Sequence, residues 1–143
     1  MKSGSATLES PGMRALWSVR TVKASPGVAP GAGRGLFAVE LIVRGEIIDR
    51  ACTTEIDAEQ CLVLDKMHPV GDFYFEHPRG KELGLMVFGL ASLCNHRDEA
   101  NADVRFVWDE GLGWIAELFA LADIRAGAEI TYRYKMIWFD RRD

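Results

Sequence analysis

Residues 117–134 read Glu-Leu-Phe-Ala-Leu-Ala-Asp-Ile-Arg-Ala-Gly-Ala-Glu-Ile-Thr-Tyr-Arg-Tyr. The stretch begins inside an apolar run over 114–119, turns at Ala126 and Gly127, and closes as a short strand over 129–132. Immediately upstream, residues 103–108 alternate, with Val104, Phe106 and Trp108 on one face, and 109–113 has turn chemistry. The spacing predicts a β-hairpin over 103–119, followed by one more strand.

Working outward, residues 83–92 (LGLMVFGLAS) predict a buried helix, part of a 12-residue apolar run too short to span a bilayer. Residues 71–80 hold Phe73, Tyr74 and Phe75 and read as a loop or irregular strand. Residues 57–67 (DAEQCLVLDKM) predict a short helix with Asp57 as its cap. Short strands are expected over 52–56 and within 36–43, with a turn from Gly45 ahead of Ile47 and Ile48. A Gly/Pro loop is expected over 26–35 and a first strand over 16–25. Residues 1–14 read as a polar, flexible leader and 15–143 as one domain. Many short strands with one or two small helices limit the class to mostly β or irregular α+β.

Composition agrees with a globular chain: 143 residues, 48% hydrophobic, 27% charged. A net charge of -4 argues against nucleic acid as the main partner, since phosphate binding wants a basic surface, and suits a basic peptide. Three cysteines, Cys52, Cys61 and Cys94, give no disulfide framework and point to a reducing, intracellular compartment. No membrane association is expected.

Several chemistries fail on spacing. Gly31 and Gly33 begin a dinucleotide-type pattern, but its third glycine would fall at Leu36, and a strand-like run follows where a helix is needed. No Gly-Lys-Ser/Thr follows either. His68, His77, His96 and the cysteines form no paired metal-ligand spacing, so no metal is expected. Cys94 and His96 are two apart, and nothing marks them as a nucleophile and its base.

Three segments in order carry a positive signal: residues 31–38 (GAGRGLFA), residues 95–101 (NHRDEAN), and the C-terminal stretch quoted first. Together they resemble the SET-domain family of protein-lysine methyltransferases, whose patterns are G-x-G-[LV]-F-A, N-H-S-x-x-P-N and F-A-x-x-D-I-x-x-G-E-E-[IL]-T-x-x-Y. The last is met at Phe119, Ala120, Asp123, Ile124, Gly127, Glu129, Ile130, Thr131 and Tyr134. Four positions depart from the family: Arg97 stands for Ser, Ala100 for Pro, Ala128 for the first Glu, and Lys135 for Gly after Tyr134. The resemblance is closest to compact SET domains without flanking zinc modules, since the cysteines of a post-SET motif are lacking.

The resemblance implies a fold of small β-sheets around a short helix, with a C-terminal segment threaded through a loop of the preceding chain. It implies S-adenosylmethionine as cofactor, held by Gly33, Arg34, Gly35, Leu36, Asn95, His96 and Tyr134. It makes Tyr134 the catalytic hydroxyl and gives a substrate lysine channel walled by Phe73, Tyr74, Tyr132, Trp138 and Phe139. The implied partner is a basic protein or peptide, such as a histone or histone-like tail, and a homodimer is known among compact members. A free lysine has a pKa near ~10.4, so the reaction needs an apolar channel that favours the neutral amine. Two other readings fit the same residues: a SET-like peptide-binding module without turnover, motivated by Arg97, and a structural β-rich domain with no small ligand.

Overall fold

The computed structural model describes residues 23–134. The expected leader, residues 16–22 of the first expected strand, and Trp138 and Phe139 lie outside the described residues. The centre of the sheet is the predicted hairpin: β7 (Ala102–Asp109) and β8 (Gly113–Ala120) pair in register from Ala102↔Ala120 to Asp109↔Gly113. Gly113 takes a φ of 80° to make the turn, a conformation that costs a Cβ-bearing residue dearly. β8 buries residues 115–118 consecutively because it is covered on both faces.

β3 (Ile47–Ile56) flanks β8 on the other side, and β5 (Gly80–Val87) then pairs with β3. Residues 83–92 are therefore not a helix. Residues 83–87 lie in β5, and a 3-10 turn, η2 (Leu90–Leu93), follows. The apolar run is strand-compatible because both faces are packed, which hides the alternation. Gly84 and Gly89 also disfavour a helix, at about 1 kcal/mol each relative to Ala. A Cβ on Gly84 would come within 2.6 Å of the Tyr74 ring, so the close β4–β5 approach uses the glycine. The edge strand β4 (Tyr74–His77) follows a second 3-10 turn, η1 (Val70–Phe73).

The helix expected near 57–67 forms as α1 (Ala58–Leu64). Gln60 N–H donates to Asp57 Oδ1 at 2.8 Å and Asp57 N–H donates to Gln60 Oε1 at 3.0 Å, a reciprocal cap. The expected glycine loop is instead a hairpin: β1 (Ala24–Ala29) pairs with β2 (Gly33–Ala38) through a turn at Pro30, Gly31 and Ala32. Pro26 is tolerated because, among the described residues, β1 is an edge strand paired only with β2.

β9 (Glu129–Tyr132) forms where expected and joins β2 to the centre, while the two-residue β6 (Asn95–His96) pairs parallel to it. The nine strands among the described residues join into one mixed sheet, in the order β1-β2-β9-β7-β8-β3-β5-β4, with β6 beside β9. The architecture is mostly β with short helices. β4 and β7 stand four places apart in that order, yet Phe75 on one lies 6.0 Å from Phe106 on the other. The sheet thus curls, enclosing a core that includes Leu36, Ile42, Ile48, Leu118 and Ile130. The expected C-terminal threading concerns the chain beyond Tyr134 and lies outside the described residues.

Candidate active site

Two elements distant in sequence meet at β6. Asn95 Nδ2 donates to Arg34 O at 2.9 Å and to Glu129 Oε2 at 2.7 Å, tying the β1–β2 hairpin to β9. Gly35 permits this approach: a Cβ there would lie 2.6 Å from Glu129 Oε2 and 2.9 Å from Asn95 Nδ2. Asn101 adds a second tie, donating to Glu129 O at 2.8 Å and accepting from Thr131 N–H at 2.9 Å. Its amide behaves as one more strand residue against β9. The Arg97 guanidinium reaches Glu129 Oε1 at 3.8 Å from an exposed position, so its charge is largely screened by water.

His96 is committed to the same corner. Its Nδ1 accepts the Tyr134 N–H at 3.0 Å, which assigns the ring proton to Nε2, facing Asp98 Oδ1 at 3.1 Å. The Tyr134 hydroxyl donates to Cys94 O at 2.6 Å, and its ring lies 4.8 Å from that of Tyr132. Burial, with added repulsion from Cys94, Asp72 and Glu129, pushes the Tyr134 phenol up to about 12. Burial raises Tyr132 further, with Tyr134, Cys94 and Asp103 adding to it. Both phenols are therefore protonated at neutral pH and can orient a group by hydrogen bonding, but cannot take a proton from it as phenolates.

A cavity of about 720 Å³ opens beside Tyr134. Phe73, Tyr74, Tyr132, Tyr134 and Asn95, all expected at the site, line it together. Gly33, Arg34, Gly35, Leu36 and His96 do not line it. They gather behind Asn95, and Leu36 is fully buried against Ile130, so only its backbone is available to a ligand. Sequence reasoning missed Phe75, His77, Asp103, Arg105 and Phe106 in the wall. Only the alternation of β7 hinted at Phe106, because the curl that brings β4 over β7 has no local signal. Phe75 stacks on Tyr132 at 5.5 Å, making the floor aromatic, while Asp72, Glu76 and Asp103 give the walls acidic groups.

The β7 wall is braced from behind. Glu117 is buried, and its two oxygens accept from Arg50 Nε at 2.6 Å and Arg105 Nε at 2.7 Å. Burial by itself would raise this carboxyl, but the Arg105 and Arg50 hydrogen bonds outweigh it and hold it below the usual range.

The profile of the SET domain matches residues 33–135, which is most of the chain, and this chain belongs to the SET-domain family. Among solved structures, a Plasmodium falciparum protein described provisionally as a histone methyltransferase is 26% identical. The match covers 83% of this chain and 98% of that one with a TM-score of 0.63. Polycomb Repressive Complex 2 of Chaetomium thermophilum, bound to S-adenosylmethionine, matches over 78% of this chain at 20% identity and a TM-score of 0.64. A humanized mutant of that complex, bound to the inhibitor GSK343, matches over 93% of this chain at 19% identity and a TM-score of 0.68. This chain spans only 15% and 18% of those two chains, so they are similar in fold alone. Among curated proteins, none matches this chain in sequence.

Proposed function

We propose that this domain binds S-adenosylmethionine and transfers a methyl group to a lysine side chain of a protein substrate. The observation that carries the reading is the meeting of Asn95, Tyr132 and Tyr134 on one aromatic-floored cavity in a chain of this family. The residues present suit the cofactor. Asn95 lines the cavity and its Oδ1 accepts no hydrogen bond from any described residue, so it remains able to receive an amino or ammonium N–H. The hairpin backbone at Gly33, Arg34 and Gly35 stands beside it without a Cβ at Gly35 to obstruct approach.

Bound S-adenosylmethionine supplies an activated methyl on sulfur. The protein's own work is to admit a neutral amine and aim it. Tyr74, Phe73 and Tyr132 offer an apolar sleeve for the lysine stem, and their ring faces attract a methylated ammonium. Taking the ammonium out of water lowers its pKa, so entry favours the reactive amine. The Tyr134 hydroxyl, having given its hydrogen to Cys94 O, offers its oxygen to an amine N–H and so fixes the direction of the nitrogen lone pair. The substrate segment is basic, such as a histone or histone-like tail, a reading supported by Asp72, Glu76 and Asp103 at the wall. Three unpaired cysteines support an intracellular setting.

Calorimetric titration with S-adenosylhomocysteine tests the pocket without a known substrate. Saturable binding is expected, weakened about tenfold in Asn95→Ala through loss of one polar contact. Transfer of labelled methyl to basic proteins then tests the reaction. A chain that binds no S-adenosylhomocysteine but holds basic peptides would be a binding module instead.

A further inference from the structure

Beyond the cavity, the turn after β4 carries an arginine on an aromatic platform. Trp108 and Trp114 are cross-strand partners on β7 and β8, their rings 5.4 Å apart and inclined at 71°. The Arg79 guanidinium carbon sits 5.4 Å from the Trp114 ring centre and 6.0 Å from that of Trp108. His77, which lines the cavity, braces this arrangement from below: its ring meets Trp114 edge-on at 5.6 Å, and its Nδ1 accepts the Arg79 N–H at 3.0 Å. The cavity wall and the platform are therefore one unit of structure.

The guanidinium is exposed, and no carboxylate among the described residues lies within ion-pair distance of it. Glu55 is engaged with His77 Nε2 at 3.1 Å, and Glu82 folds back over Gly80. Contact with the indole rings engages the guanidinium's charge and carbon skeleton and does not consume its N–H donors, which remain available to an oxyanion. An oxyanion finds a fork of donors whose own charge is unneutralised.

We propose that Arg79, held by Trp108 and Trp114, is a specificity subsite for an anionic side chain, carboxylate or phosphate, lying a few residues from the target lysine on the substrate. This rests on the methyltransferase reading for its substrate class, but the subsite itself is a binding feature. It makes the preferred substrate a segment with one acidic side chain at a fixed offset from the lysine, set in an otherwise basic context. A uniformly basic tail lacks that contact.

The test uses the full chain and lysine-centred peptides in which glutamate or phosphoserine replaces alanine at each position from three before the lysine to three after it. KM for methyl transfer is measured with S-adenosylmethionine present. At one or two adjacent positions on one side, the anion is expected to lower KM about tenfold, the effect of one charge-assisted pair. Phosphoserine outperforming glutamate there would assign the subsite to a phosphate, and equal effects to a carboxylate. Arg79→Gln brings the ratio of alanine to acidic peptide to about one, and Arg79→Glu inverts it in favour of the alanine peptide. A preference spread over all positions, its absence, or its survival in Arg79→Gln overturns the proposal. The same peptides, fluorescein-labelled, are read by anisotropy in parallel. If none is methylated but binding keeps the positional preference and its Arg79 dependence, the methyltransferase reading fails and the subsite stands. If no peptide binds, both fail.

Discussion

The two walls of the cavity are built in opposite ways. The β7 wall belongs to the middle of the sheet, paired with β8 along its whole length and braced by the Arg50–Glu117–Arg105 ladder. The opposing wall runs through η1 and β4, a four-residue turn and a four-residue edge strand whose pairing slips between Glu76 and His77. Phe73 on it is 37% exposed, whereas Val104 facing it is 7% exposed. One wall is fixed by pairing and burial; the other is held by a few contacts. Tyr132 and Tyr134 adjoin the fixed wall, while the sleeve residues Phe73 and Tyr74 stand on the marginal one. Chemistry needs sub-ångström placement, and recognition tolerates adjustment.

Four variants sharpen this contrast. Glu117→Ala removes the carboxylate that Arg50 and Arg105 share and is expected to cost about 3 kcal/mol, read by chemical denaturation. Its pH dependence follows from the lowered carboxyl. The carboxylate's contribution is complete above the unfolded-chain value, about 4.3, and is lost as pH falls through the lower folded value. Wild type therefore loses stability on the acid side more steeply than Glu117→Ala.

Tyr134→Phe removes the hydroxyl held by Cys94 O, and kcat for methyl transfer is expected to fall about a hundredfold, with a stability loss of about 1 kcal/mol because Cys94 O loses its donor. Undiminished transfer would remove Tyr134 from the mechanism. On the marginal wall, Gly84→Ala drives a Cβ to 2.6 Å from Tyr74 Cδ2. The expected loss is about 2 kcal/mol, with a raised peptide KM and unchanged S-adenosylhomocysteine affinity. Tyr74→Phe cuts the exposed 2.6 Å hydrogen bond to Asp65 and a weaker contact with Cys61, and should cost about 1 kcal/mol, with a modest KM shift. If Tyr74→Phe disturbed kcat as much as Tyr134→Phe, the division between the walls would be wrong.

The fixed wall was also the legible one. The β7–β8 hairpin announces itself by alternation around a turn, and β9 by a glycine turn before a β-prone run, so both appear where the sequence predicts them. Asp57 likewise marks the start of α1 through its capping chemistry. Residues 83–92 misled because packing on both faces removes the period that separates strand from helix. The β1–β2 hairpin was hidden because Pro26 and the glycines are poor strand formers, admitted here only by an edge position. At the site, Asn95 and Tyr134 were legible through motif spacing. Phe75, Asp103 and Arg105 were not, since their meeting depends on a sheet that curls across four places in the strand order.

The Asn95 contacts also set a schedule. Its partners, Arg34 and Glu129, lie 61 residues before it and 34 after it. A chain emerging from the ribosome holds the hairpin and the asparagine long before the glutamate, Tyr132 and Tyr134 exist. At about 5–20 residues per second, making the residues from His96 to Tyr134 takes roughly two to eight seconds. Through that interval the β7–β8 hairpin can close on its own local contacts, but the corner that carries the chemistry has no second half. The corner that ties Asn95 to Glu129 therefore cannot assemble until β9 has been made, and it is completed at once when β9 pairs with β2 and β6.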